Sequence, residues 1–212
     1  MDGGVQGLGA EAHIQEEASR ISRQIGLHID WIRTSDELSN VGGGQRGLYK
    51  TYCAIFAEKP YEEKFLPPEV ADYFQSILRS GGLIFVARDD AGAVAAFVAS
   101  RPLSDKPDIV HLVQPYLKTP LGKTSYFAED AVVPALRRRG ISAQLKKLLL
   151  LANRAMGYES MVLRTSRDST AQRNAVEKAG GSLIEGLIQD VDSLRLDGSL
   201  HPDARVFYTF DL

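Results

Sequence analysis

The chain has 212 residues, 44% of them hydrophobic and 25% charged, and a formal net charge of −2. That length suits one large domain whose core buries roughly 70% of the surface of the unfolded chain. The near-neutral balance excludes a general attraction for nucleic acid or acidic membranes, so any anion binding has to be local.

The chain begins without the charged, apolar and small-residue series of a secretion signal, and no apolar run reaches the roughly 18 residues of a membrane span. A cytoplasmic, reducing home is the expectation. Residues 1–24 lack sustained periodicity and read as a flexible tail with a fragment of helix near Ile14 to Ile25, leaving 25–212 as the domain. "LHIDWIRT" alternates as a first strand, and "GGGQRG" at 42–47 is a loop, because no Gly-Lys-Ser/Thr follows to make a phosphate loop. Leu48, Tyr52, Ile55 and Phe56 share a helix face. Cys53, the single cysteine, lies in that run and reads as a small core residue; alone it excludes an internal disulfide and a thiolate metal cluster.

Val70, Phe74, Ile77 and Leu78 repeat the spacing, with Pro67-Pro68 to start the helix and Gly81-Gly82 to stop it. "LIFVAR", "DDAG" and "AVAAFVAS" read as a β-hairpin. Residues 101–124 form a long connection, "SYFAEDAVV" a strand ended by Pro134, and Ile141 to Met156 an amphipathic helix closed by Gly157. "SMVLRTS" is a strand, and Ser169 with Gln172 offers a capping box for the helix "STAQRNAVEKA". "SLIEGLIQDV" and "RVFYTFDL" supply two more strands about a polar loop at 192–205. The order β-α-α-β-β-β-α-β-α-β-β makes one mixed α/β domain.

The chemistry concentrates at "VVPALRRRGISAQL", where a strand turns into the longest helix. A helix begins with about four N–H groups lacking internal partners and roughly half a positive charge. Gly140 permits a sharp bend and close approach. Arg137, Arg138 and Arg139 add cations. The combination suits a phosphate or pyrophosphate. A plain solvated turn is the competing reading.

"AVVPALRRRGIS" resembles the acyl-CoA-binding motif of the GNAT superfamily of N-acetyltransferases, Gln/Arg-x-x-Gly-x-Gly/Ala after a valine strand. Arg137, Gly140 and Ser142 stand at its defined positions, serine departing from Gly or Ala. "VEKAGG" resembles the Glu-Lys-x-Gly-Phe end of the family's later helix, with Gly181 in place of the aromatic. The resemblance implies a single three-layer α/β domain with a mixed, mostly antiparallel, splayed sheet of six to seven strands flanked by helices. It implies acetyl-CoA, or another acyl-CoA, as co-substrate and no metal. Val132 and Val133 would pair with the pantetheine arm, an N–H near Val133 would polarise the thioester carbonyl, and the amides of Arg138, Arg139, Gly140, Ile141, Ser142 and Ala143 would hold the pyrophosphate.

The acceptor implied is a primary amine on a small molecule or peptide. Glu129 is the first candidate for the base and Asp130 the second, since adjacent strand residues face opposite ways. Val176 stands where relatives often carry an acidic tyrosine; Tyr126 and Tyr208 are substitutes to consider. Phe56, Tyr61 and Phe65 would wall the acceptor cleft. His13, His28, His111 and His201 show no ligand spacing. Two other readings stand beside catalysis: an acyl-CoA-binding sensor without activity, and an arginine contact to nucleic acid, which the acidic chain disfavours. A homodimer is left open.

Overall fold

The computed structural model describes residues 3–59 and 61–212. Seven strand segments form one sheet: β1 (His28–Ile32), β2 (Leu83–Arg88), β3 (Val94–Pro102), β4 (Thr124–Val132), β5 (Ser160–Ser166), β6 (Ser182–Leu194) and β7 (Leu200–Asp211). Their order is β1-β2-β3-β4-β5-β7-β6, antiparallel throughout except for the parallel pair β4–β5. β2 and β3 carry apolar side chains on both faces because both faces are covered by helices.

On one face lie α1 (Gly3–Ile25), α6 (Ile141–Ala155) and α7 (Thr170–Lys178). Ile14, Ala18, Leu145, Leu148 and Val176 from these helices pack on Phe85, Val98, Phe127 and Leu163. On the other face α2 (Ser35–Gly42), α3 (Leu48–Phe56) and α4 (Pro67–Arg79) cover Ile84, Val86 and Phe97, while α5 (Pro107–Val113) covers Tyr126, Val162 and Phe207. Helices on both faces of a mixed, mostly antiparallel sheet make the three layers that were expected.

Four local expectations need correction. Residues 9–24 are not a flexible tail: the helix expected near Ile14 to Ile25 is there but belongs to the longer α1, whose Ile14, Ala18 and Ile21, spaced i, i+4 and i+7, are buried in the core. The connection at 101–124 contains α5, held by buried Ile109 and Val113 on one face. Ser169 stands at the N-cap of α7 but its side chain makes no cap bond, and Gln172 instead reaches Asp130 of β4 at 3.4 Å. The "polar loop" at 192–205 is mostly strand, because Asp197 and Gly198 turn the chain within residues 195–199. There Asp197 accepts from the Ser199 N–H at 2.9 Å, and Gly198 takes φ +86°.

α2 is an element that apolar periodicity does not announce, although Thr34 and Glu37 form the capping box that starts it.

Candidate functional site

β4 and β5 pair only over Thr124–Phe127 and Ser160–Leu163, so the sheet opens beyond Phe127. On its other side β4 keeps pairing with β3 as far as Val132, with a register shift that leaves Ala128 as an extra residue. Val133 donates its N–H to Ala95 O at 2.9 Å. By alternation, the backbone groups of Asp130 and Val132 therefore point into the gap that β5 has left. That corrects the role expected of Val133: its amide is engaged by β3. Val132 keeps the open side, although its carbonyl accepts Arg137 Nε at 3.1 Å.

β4 ends at the arginine turn. Arg138 (φ +63°) and Gly140 (φ +77°) both adopt left-handed backbone, and Gly140 is the N-cap of α6 without a side-chain cap bond. Arg138 accepts a conformation unusual for a side chain bearing a Cβ, as strained residues at functional sites often do. The first bond of the helix runs from Gln144 N to Gly140 O at 3.1 Å. Among the described residues, nothing accepts from the N–H groups of Arg138, Arg139, Gly140, Ile141, Ser142 or Ala143. Six consecutive free donors at a helix start form an anion cradle, which is the chemistry a pyrophosphate needs. A Cβ at Gly140 would meet no protein atom within 4 Å, so its open face looks away from the fold. Arg137 braces this turn by donating to Glu58 Oε2 at 3.1 Å, while Arg138 and Arg139 stay exposed.

The gap widens into a cleft of about 350 Å³ lined by Tyr52, Phe56, Tyr61, Phe65, Tyr126 and Glu129, among others. The three aromatics expected at its wall are therefore there. Residues 62–64 border it by pairing with the tip of the β6–β7 hairpin: Lys64 N donates to Leu194 O at 2.8 Å, and Leu196 N to Glu62 O at 2.9 Å. Glu63 and Arg205, neither foreseen, form an ion pair of 3.4 Å in the wall.

Glu129 and Asp130 face opposite ways, with different fates. Asp130 points toward α6 and is paired with Lys146, both side chains almost wholly buried. Glu129 points into the cleft, beneath α3 and α4. Burial of its carboxyl pushes the pKa up from an ordinary 4.5 to about 7, while hydrogen bonds from Tyr73 and Tyr52 work against that rise. Tyr52 Oη lies 3.4 Å from Oε1, and burial together with the Glu129 charge keeps the Tyr52 hydroxyl protonated. Tyr73→Phe removes the phenol that most opposes the rise and is expected to move the Glu129 midpoint further up. Carbon-13 NMR titration of labelled glutamate carboxyls would read the shift, and an unmoved midpoint would show that the phenol does not donate.

The remaining candidates are placed elsewhere. Val176, on the core-facing side of α7, is fully buried. Tyr208 Oη donates to Glu177 at 2.9 Å and accepts from Arg173 at 3.1 Å, tying down α7. His111 is exposed on α5 with Nδ1 at 2.9 Å from Pro107 O. Cys53 is half-buried, and burial raises its thiol pKa, which argues against a nucleophile. Among the described residues no group of three or more His, Cys, Asp or Glu could hold a metal, and no helix is long and apolar enough to cross a membrane.

The model of the acetyltransferase (GNAT) family matches residues 49–180. Among solved structures, the ribosomal-protein-alanine N-acetyltransferase of Brucella melitensis is similar at 14% identity and a TM-score of 0.59, over 87% of this chain and 99% of that one. An N-acetyltransferase of Staphylococcus aureus Mu50 gives 17% and 0.56, over 86% and 98%. A Bacillus subtilis acetyltransferase in complex with CoA gives 16% and 0.50, over 88% and 99%. At such identities the likeness is one of fold. Comparison of the sequence with curated proteins gave no match.

Proposed function

The chain belongs to the GNAT acetyltransferase family, and from that premise we propose that it transfers an acetyl group from acetyl-CoA to a primary amine by direct attack in a ternary complex. One observation carries the reading: a carboxylate with a pKa of about 7, inside a cleft, on the strand that runs into six free amides.

The amides of Arg138 to Ala143 suit the diphosphate, and the splay between β4 and β5 suits an extended arm added beside Asp130 and Val132, a form of strand addition. Acetyl-CoA supplies an activated acyl carbon. An alkyl ammonium has a pKa near 10.4, so only about one amine in 2,500 is neutral at pH 7 and freeing the nucleophile costs roughly 4.6 kcal/mol. Glu129 takes that proton, directly or through water. A base near the working pH combines a useful ionised fraction with real proton affinity. The nitrogen–carbon bond forms as the carbon–sulfur bond breaks. Thiols have a pKa near 8.5, so the departing thiolate is a tolerable leaving group that water can protonate. That account needs no acid at Val176, the position that kept a sensor role open. The lining sets Glu63, Glu129, Asp130 and Asp192 against Lys64, Arg164 and Arg205, so its charge alone does not choose among amines.

Thermal-shift titration with coenzyme A and acyl-CoAs of rising chain length, paired with thiol release over a panel of amines, tests the proposal. Stabilisation by acetyl-CoA together with amine-dependent thiol release is expected. Tight binding without release across the panel would replace the enzyme with the sensor. No stabilisation by any of these compounds would remove both.

A further inference from the structure

Asp130, Lys146, Ser142 and Gln172 form a polar cluster between the apolar stripe of α6 and the cleft, whose lining includes Asp130 and Gln172, and the chemistry proposed above leaves it unused. Lys146 on α6 pairs with Asp130 on β4, the two side chains being only 2% and 5% exposed. Lys146 Nζ also donates to Ser142 Oγ at 2.8 Å, and Ser142 Oγ lies 3.1 Å from Asp130 Oδ2, to which it donates. Gln172 of α7 reaches the same oxygen at 3.4 Å. The neighbours are Phe127, whose ring lies 5.9 Å from Nζ, and the apolar stripe of α6.

We propose that the buried Asp130–Lys146 pair, bridged by Ser142, is a positioning device that fixes the anion cradle at the head of α6 relative to Glu129. The inference rests on reading that cradle as the coenzyme A site. Asp130 is joined to Glu129 by one peptide bond, and the alternation of the strand sends one carboxylate to α6 and the other to the cleft. Ser142 is the second residue of α6, flanked by the free amides of Ile141 and Ala143. The route from donor amide to base is thus Ser142, Asp130, Glu129. α6 cannot slide or turn on the sheet without breaking a charged, water-excluded contact.

Stability alone does not call for such a pair. Taking two ions out of water costs several kcal/mol each, and well-packed apolar residues of similar volume often do as well or better. What an ion pair adds is direction: it has one good geometry where an apolar contact has many. The cluster also accounts for serine at the position where the resemblance calls for Gly or Ala. Its hydroxyl turns inward to the carboxylate and leaves the backbone N–H free to face the ligand.

The test compares Lys146→Met, the double variant Asp130→Leu with Lys146→Met, and Ser142→Ala, all in the full chain. Melting temperature, calorimetric Kd for coenzyme A, and kcat with acetyl-CoA and an amine from the panel are read for each. Lys146→Met leaves an unpaired buried carboxylate and should melt well below the parent. The double variant should recover most of that loss, yet keep coenzyme A affinity down about tenfold and kcat down about 100-fold. A double variant that regains stability, Kd and kcat together would make the pair purely structural and overturn the proposal. Should the double variant fail to fold, Ser142→Ala decides. It keeps both charges, so an unchanged melting temperature with a Kd weakened several-fold, restored by Ser142→Thr, supports the device. An unchanged Kd overturns it. A parent protein giving no heat with coenzyme A would instead sink the reading of the cradle itself, before any variant is compared.

Discussion

Glu129→Gln is expected to lower kcat by about 10²–10⁴-fold with the fold intact, the usual range for loss of a general base. The amide keeps the shape of the carboxyl and can still accept from Tyr52 and Tyr73, but it cannot take a proton. In the parent, activity requires the ionised form, so kcat/KM should rise with pH through about 7, the value to which burial lifts this group. In the variant the inflection near 7 should disappear, leaving only the rise that follows the neutral fraction of the amine. Stability should move the other way. A carboxyl whose pKa is raised on folding, here from 4.5 to about 7, binds its proton more tightly in the native state. The parent therefore loses stability as pH climbs from about 4.5 to about 7 and carries the full penalty above that. The glutamine variant, neutral at this position, escapes it. The difference in melting temperature between variant and parent should grow across that window and then level off. Activity retained in the variant, or a flat difference in melting temperature, would remove Glu129 from the role of base.

What can be read from the sequence follows from the range over which each interaction acts. The arginine turn, its glycine and the apolar stripe of α6 are local, and the left-handed backbone at Gly140 and the free amides follow from residues within one turn of helix. The opposite facing of Glu129 and Asp130 follows from strand alternation. The environments of those two carboxylates do not. Tyr52 lies 77 residues from Glu129 along the chain and reads there only as one member of an apolar helix stripe. Lys146 stands as a polar residue among leucines, with nothing nearby to announce the partner 16 residues upstream. The docking of the amino-terminal helix hides for a similar reason: a fragment of helix near Ile14 to Ile25 is legible, but the burial of Ile14, Ala18 and Ile21 needs α6 and the sheet to cover them. The β6–β7 hairpin misleads in the reverse direction. Its polar residues suggest a loop, whereas a strand that bridges the rim of a cleft is free to be polar along much of its length.

Gly140→Asp should weaken coenzyme A binding by about 100-fold or more while the chain still folds. Two effects add. The residue sits at φ +77°, so any side chain there is strained, but Asp is among the residues that tolerate left-handed backbone best, so the strain is about 1 kcal/mol. Because a Cβ meets no protein atom within 4 Å, the core has no reason to shift. The stronger effect is that of the carboxylate itself, placed at the mouth of a cradle whose free amides and helix dipole select for anions. It would cap the free N–H groups of α6 from within the chain and repel a diphosphate at the same time. Gly140→Ala separates strain from charge, since it carries the first without the second and should lose far less affinity than the aspartate. Gly140→Asn, with a neutral side chain of the same shape, should fall between them. Calorimetry with coenzyme A on all three, alongside circular dichroism to confirm folding, gives the order Ala, Asn, Asp. Equal affinity across the series would mean that the diphosphate does not sit on these amides, and the function proposed for the cleft beside them would lose its co-substrate.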